Sequence, residues 1–355
     1  MNAALILSKI ETEMLTNLVK LLRTGNVDDQ EWQLQKLQQL GKLRSVNLSM
    51  IKKERAKLIV AVHEEIESVA NERAKMVDDQ TKGAGKLIGE VLPVDTDPQL
   101  KAVISKWEST VVSSFDSTFA PMLSKCDAVY TDTIYKAVAK AQMGVSSRQA
   151  IAEACSEWSQ QGLKALTDNA GRTWTTEAYA QMVVRTNTTS TATETQFARM
   201  SELGEDLVEI SSHLGARPKC EPYQGRIFSL SGKSDKYPWL YDPSITEWGC
   251  TVGEIDGLFG GICRHEMYVY NEGTEQTYHP QNKERNESAY KNSQTQRRLE
   301  RSIREAKRNL TILKETKDTE QINKANSLLK KRQAAMETFI SKTGRTRRED
   351  REEIY

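Results

Sequence analysis

Residues 207–230 read LVEISSHLGARPKCEPYQGRIFSL, and this stretch interrupts the texture of an otherwise helical chain. Leu207-Val208-Glu209-Ile210 and Arg226-Ile227-Phe228-Ser229-Leu230 are short apolar strings set between Gly, Pro, Ser and Asp, the composition of strands joined by turns. From about 205 to 280 the chain gathers most of its Gly, Pro and Trp clusters and three of its five cysteines. On both sides the patterns are helical. The expected fold is therefore mainly α with a small α+β core. A helical N-terminal region spans 1–145, a loop-rich Cys/His-bearing α+β core spans 146–280, and basic charged helices span 281–355.

Outward from this core, apolar Leu5, Ile6, Ile10, Met14, Leu15, Leu18, Val19 and Leu22 recur at three- and four-residue steps, predicting a helix over 3–24 that stops at Gly25-Asn26. A second helical stretch covers about 30–80, with interruptions expected near Gly41 and Asn47. Within it, Leu58, Val62, Ile66 and Val69 form a narrow seam suited to packing on one neighbour. Gly83-Ala84-Gly85 reads as a break and Pro93 to Pro98 as a loop. Helical patterns resume over 99–142, with Pro121 expected to open a new helix, and over 146–168, where Ser146 begins the helix with Gln149 near N3. Residues 284–340 read as a long charged helix or helical hairpin, and Thr343 to Arg348 as a frayed basic tail.

Hydrophobic residues make up 38% and charged residues 28% of 355, with a mean hydropathy of −0.61. This is too polar for one large core and too rich in Leu, Ile, Val and Trp for a disordered chain, whereas long solvated helices produce such a balance. No stretch approaches the roughly 20 apolar residues of a membrane span. The first residues, Met1 to Lys9, lack the basic and apolar regions of a signal peptide. An odd number of cysteines argues against a complete disulfide framework, and a reducing cytoplasm is the expected setting.

Charge is unevenly spread. Residues 281–355 hold 20 Lys/Arg and 12 Asp/Glu; the whole chain has 50 and 49, leaving 30 and 37 in residues 1–280. A basic tail on an acidic body points to an anionic partner such as nucleic acid, or else to a solvated helix with interspersed charge. Arg297, Arg301 and Arg304 lie at four- and three-residue steps on one face, while Leu299, Ile303, Leu310 and Leu313 define the apolar side. Such a helix suits DNA phosphate contacts without sequence reading, and equally suits packing on a protein.

The sharpest constellation is His213, Cys220, Cys250, Cys263 and His265. His213, Cys220, Cys263 and His265 could supply the four soft ligands of a structural zinc ion, although no CxxC occurs and the pairs lie over 40 residues apart. Two other readings stay open: buried free cysteines beside a hydrogen-bonded histidine, and a catalytic Cys-His pair. His63-Glu64-Glu65-Ile66-Glu67 starts like a zinc-protease helix but has Glu67 in place of the second histidine, leaving a solvated helix face. Gly257-Leu258-Phe259-Gly260-Gly261 leads into Ile262-Cys263-Arg264 rather than a helix with a phosphate-binding lysine, and reads as a turn.

Several strings are familiar in order. Gly171-Arg172-x-Trp174, Tyr179, Met182 and Arg185-Thr186 resemble a run of the phage minor capsid protein 2 family, itself related to the Mu protein F-like head morphogenesis proteins. Ser211-Ser212-His213-Leu214-Gly215-Ala216-Arg217-Pro218, then Gln224-Gly225, then Gly261-Ile262-Cys263-Arg264-His265, and Gln296 to Arg301 are similar to further elements of that family. The resemblance covers about 150–310 and marks Arg185, Thr186, Arg217, Gln224 and Arg264 as motif residues, with a Mu F-like core at 146–280. The family commonly has histidine at the position of Cys220, which keeps a zinc-capable ligand, and asparagine at the position of Ile262. The resemblance implies a bacteriophage virion component made in the host cytoplasm, not an enzyme. It would sit inside the head or at the portal vertex, bound to the portal protein or the major capsid protein, and would touch phage genomic DNA or act in its ejection. The alternative is a metal-dependent or Cys/His hydrolase acting during head maturation.

Overall fold

The computed structural model describes residues 3–29, 31–85, 91–164, 166–167, 171, 173–261 and 263–354. Arg172 and Ile262 of the family strings lie outside the described residues. The chain is mainly α-helical with small antiparallel sheets. It divides into two compact units, one built from residues 1–60, 114–181 and 295–355 and the other from 61–113 and 182–294. Both units draw on all three consecutive regions of the sequence.

In the first unit, α1 (Ala3–Leu22) carries a wide apolar stripe, and Leu7, Ile10, Met14, Leu15, Leu18 and Leu22 along it are fully buried. It ends before Gly25, whose φ of +82° no side-chain-bearing residue adopts cheaply. The second stretch is α2 (Trp32–Gln38) followed by α3 (Leu40–Gly83). The break falls at Gln39, near Gly41 as expected, whereas Asn47 does not interrupt α3, contrary to expectation. Asn47 is buried; its Oδ1 accepts from Asn17 Nδ2 at 3.1 Å and its Nδ2 reaches Cys126 Sγ at 3.6 Å, so its amide joins helices where a turn was expected.

Helix α4 (Pro98–Gln142) likewise runs through Pro121, which does not open a new helix. An interior proline costs about 3 kcal/mol, but Phe115 and Met122 are fully buried on either side of it and apolar packing holds the helix together. Helix α5 (Ser147–Ser159) is capped as expected, Ser146 accepting from the Gln149 N–H, and it packs on α1. It stops at Ser159, short of 168, because the chain turns at Gly162 (φ +65°) into β1 (Leu166–Thr167), paired antiparallel with β2 (Thr173–Trp174).

Helix α6 (Thr176–Leu203) begins in this unit with Glu177. Further along the chain, α7 (Lys283–Thr316) and α8 (Thr319–Thr343) form the helical hairpin, with Asp318 capping α8 and Gly344 (φ +66°) ending it; α8 packs on α5. The segment after α8 is not frayed. Arg345 donates to Gln296 Oε1, Gln296 donates to Thr346 O, and Arg347 pairs with the buried Glu352. A buried charge group lies at the centre of the unit. Arg308 donates to Glu177 Oε2 at 2.7 Å and stands 4.0 Å from Glu11 Oε2, while Glu11 also accepts the Leu163 N–H and Arg304 binds Glu177. Burial pushes the Glu11 carboxyl up, against the pull of Arg308.

In the second unit the seam of α3 continues from Val62 and Ile66 through Ala70, Ala74 and Val77, with Val69 half-buried. Ala70 and Ala74 pack with Val94 and Leu100. Asp97 accepts the N–H groups of Gln99 and Leu100 at the start of α4, and the buried Arg199 of α6 donates to the same carboxylate. The sheet places β3 (Leu207–Ile210) between β4 (Ile227–Ser229) and β5 (Met267–Val269), both antiparallel to it, with Val208 opposite Phe228 and Val269. The two strands read from the sequence are present; β5 was not foreseen. One face of the sheet buries Val208, Ile210, Phe228 and Met267 with Tyr223, Leu258 and Met200 of α6.

Candidate functional site

Both loops that leave this sheet converge on one point. The first, 211–226, carries His213, Cys220 and Gln224 from β3 to β4; the second, 230–266, carries Cys263 and His265 into β5. Asn286 of α7 shapes the first loop. Its Oδ1 accepts the N–H groups of Gly215 and Ala216, each at 2.8 Å, and its Nδ2 donates to Ala216 O. The second loop is folded by close backbone crossings. A Cβ on Gly257 would lie 1.9 Å from Thr251 O, and one on Gly260 would lie 1.6 Å from Glu254 O, so these positions admit only glycine. The Gly257–Gly261 segment is thus a turn packed on its own loop. Thr186 of α6 donates to Gly261 O at 3.4 Å.

The functional atoms of Cys220, Cys263 and His265 all lie within 4.8 Å of one another, and all three residues are buried. Cys263 Sγ is 3.4 Å from His265 Nδ1 and accepts the His265 backbone N–H. On the far side of the ring, His265 Nε2 meets Gln224 Oε1 at 3.4 Å, and that oxygen also accepts the backbone N–H of His213. Because the carboxamide oxygen can only accept, it assigns the imidazole proton to Nε2 and leaves the Nδ1 lone pair facing sulfur. The neighbouring Cys263 sulfur and burial push the Cys220 thiol up, while the contacts with Cys220 and His265 hold Cys263 well below the usual thiol range. The His213 ring stacks on that of His265 with centroids 4.4 Å apart, and burial holds its imidazole below its ordinary value. His213 Nδ1 faces Leu214 O at 3.3 Å, while its Nε2 is buried without a hydrogen-bond partner.

This arrangement can do two kinds of chemistry. Sulfur, imidazole and carboxamide in series form the order of nucleophile, base and orienting group. Two thiols and two imidazoles also form a soft donor set for a metal. Cys220 is 1%, His265 5% and Cys263 9% exposed, so the reactive atoms lie beneath the surface. Cys250 lies outside the group, and the cysteines are free.

Of the remaining motif residues, Arg185 on α6 and Arg264 are exposed, and Arg217 is half-buried one turn before Cys220, whose N–H donates to Arg217 O. Gln224 was legible as a motif residue, but its hold on His265 was not; the contribution of Asn286 carried no local signal. The basic face of α7 is divided. Arg301 is exposed and Arg297 half-buried, whereas Arg304 turns inward to Glu177 and the Arg351 carbonyl. His63 pairs with Glu108 at 2.6 Å and Glu67 at 3.5 Å on a solvated face.

No helix among the described residues is long and apolar enough to cross a membrane. No solved structure matches the chain. A curated "Structural protein" of Lactococcus phage LL-H is 26% identical over 343 residues, covering 92% of this chain and 89% of its own length. The family model described as phage minor capsid protein 2 matches residues 2–341. The helical frame, the ordered strings from Gly171 to His265 and a match of this extent agree, and the chain belongs to the phage minor capsid protein 2 family.

Proposed function

We propose that this chain is a non-catalytic component of the phage head, seated on the portal or the inner capsid surface and touching packaged DNA through the α7–α8 hairpin. The observation that carries the reading is the division of its charged and reactive groups. The nucleophilic and basic side chains Cys220, Cys263 and His265 are buried in the second unit, while Arg298, Arg301, Lys314, Lys317, Lys330, Lys331 and Lys342 are exposed on the hairpin. Exposed cations without aromatic neighbours suit phosphate contacts that hold duplex DNA without reading it. The similarity to a structural protein of Lactococcus phage LL-H supports the same assignment.

Cross-linking mass spectrometry on purified virions tests the placement. Cross-links from the hairpin lysines to portal or inner-capsid residues are expected; absence from the virion, or cross-links confined to tail proteins, overturns it. For DNA, the full-length chain should bind mixed-sequence duplex with a salt slope that falls by about 1 in Arg301→Glu. Salt-independent binding, or none, removes DNA from the proposal. The hydrolase alternative predicts cleavage of head proteins or DNA by the purified chain, abolished by Cys263→Ala.

A further inference from the structure

The second unit has an unusual burden of irregular chain. Residues 230–266 join β4 to β5 without a helix or strand among the described residues, whereas loops beyond about 12–15 residues are uncommon unless something orders them. The glycine crossings at Gly257 and Gly260 fold this loop on itself, and its contacts to the loop 211–226 are made at one side, where Thr251 donates to Lys219 O at 3.1 Å and Lys219 pairs with Glu254 and Asp256 at 3.0 Å. At the point where the two loops meet stand two thiols and two imidazoles.

We propose that Cys220, Cys263, His265 and His213 bind one zinc ion that staples the two loops to the sheet. With Zn–S near 2.3 Å and Zn–N near 2.0–2.1 Å, the edges of a tetrahedral site measure about 3.3–3.8 Å. The Cys263 Sγ to His265 Nδ1 separation of 3.4 Å already equals such an edge, and Cys220 Sγ lies within 4.8 Å of both atoms. The tautomer is the one a metal requires. Gln224 Oε1 accepts from His265 Nε2 and turns the Nδ1 lone pair to the sulfurs, the outer-sphere arrangement that commonly orients metal-bound histidines.

His213 is set as the fourth ligand by the same logic. Its Nδ1–H is directed to the Leu214 carbonyl, and its Nε2 is the buried nitrogen without a partner, on a ring stacked against His265. His213 lies outside the 4.8 Å group, so its coordination requires a side-chain rotation that carries this nitrogen toward the three other donors. Binding displaces any proton still held on sulfur to solvent, and two thiolates with two neutral imidazoles cancel the charge of the ion. The staple spans the two loops without reference to where the protein sits in the virion, and its failure would leave the proposed function untouched.

The full-length chain, purified under reducing conditions, is assayed by elemental analysis and refolded with Co²⁺ as an optical probe. One zinc per chain is expected. The cobalt form should show tetrahedral d–d bands and a sulfur-to-cobalt charge-transfer band sized for two thiolates. Cys263→Ser should remove that band or halve it, and His213→Ala should weaken metal affinity about 10- to 100-fold, while Cys155→Ser changes neither. A chelator should lower the melting temperature of the wild-type chain, which keeps the test decisive if a variant fails to fold. Less than 0.1 equivalent of zinc after loading, with both thiols freely alkylated, overturns the proposal; so does a Cys220–Cys263 disulfide in freshly purified virions.

Discussion

Replacing Arg308 by methionine tests the buried charge group of the first unit most directly. Arg308 is 1% exposed and is the guanidinium shared by Glu177, at 2.7 Å, and Glu11, at 4.0 Å. Methionine preserves the aliphatic stem but leaves Glu11 without a cationic partner, beside the Leu163 N–H, and Glu177 with Arg304 and Gln181. Opposite charges about 4 Å apart at an effective dielectric near 20 interact by roughly 4 kcal/mol, and removing one partner of a buried pair costs about 3–5 kcal/mol. That is a large share of the 5–15 kcal/mol typical of a folded domain. Hydrogen exchange of α1 peptides, read by mass spectrometry, should accelerate by about 10²- to 10³-fold, at about 1.4 kcal/mol per decade. The triple variant Arg308→Met/Glu11→Gln/Glu177→Gln removes the stranded charges and should recover at least about 1 kcal/mol, since neutral replacements of buried ion groups are often tolerated. A change below fivefold in Arg308→Met, or a triple variant no more stable than the single one, would refute the reasoning.

Gly260→Ala should destabilise the second unit by about 3 kcal/mol or more, beyond the usual cost of overpacking because the new methyl meets the rigid backbone of Glu254; normal protection of peptide 251–261 would contradict it. Pro121→Ala should raise stability by about 1–2 kcal/mol, restoring an N–H to the interior of α4 while loosening the unfolded chain slightly, and urea titration followed by circular dichroism measures it. The hydrogen bond that His63 donates to Glu108 raises the folded His63 above its ordinary 6.5. Its contribution is therefore complete below that value and lost as pH rises through the raised folded value. On this exposed face it amounts to a few tenths of a kcal/mol. In His63→Asn the stability difference from wild type should vanish at high pH, and a difference that grows with pH would contradict the assignment.

Much of the scaffold was legible without coordinates, because helix and strand patterns are local. The step of α1, the cap at Ser146, the strands at 207–210 and about 227–229 and the α7–α8 hairpin each follow from residues within a few positions of one another. The misreadings share a cause: they are places where distant packing overrides local preference. Asn47 is a poor helix former held in helix by Asn17 and Cys126, Pro121 is carried by buried Phe115 and Met122, and the tail after Thr343 is pinned by Gln296. Strand β5, three residues long, is too short to carry a period of its own. The basicity of α7 could be counted from the chain, but only the buried Glu177 and Glu11 decide that Arg304 and Arg308 turn inward.

By itself the sequence determined the helical frame, the loop-rich centre, the family strings and the identity of the soft donors His213, Cys220, Cys263 and His265. Only the tertiary structure decided that donors more than 40 residues apart meet, that Gln224 assigns the proton on His265, and that Cys220, Cys263 and His265 are buried. Periodicity records which face of an element is buried. Which loops then close on each other depends on the antiparallel register of β3 with β4 and β5, and on backbone crossings that glycine alone admits.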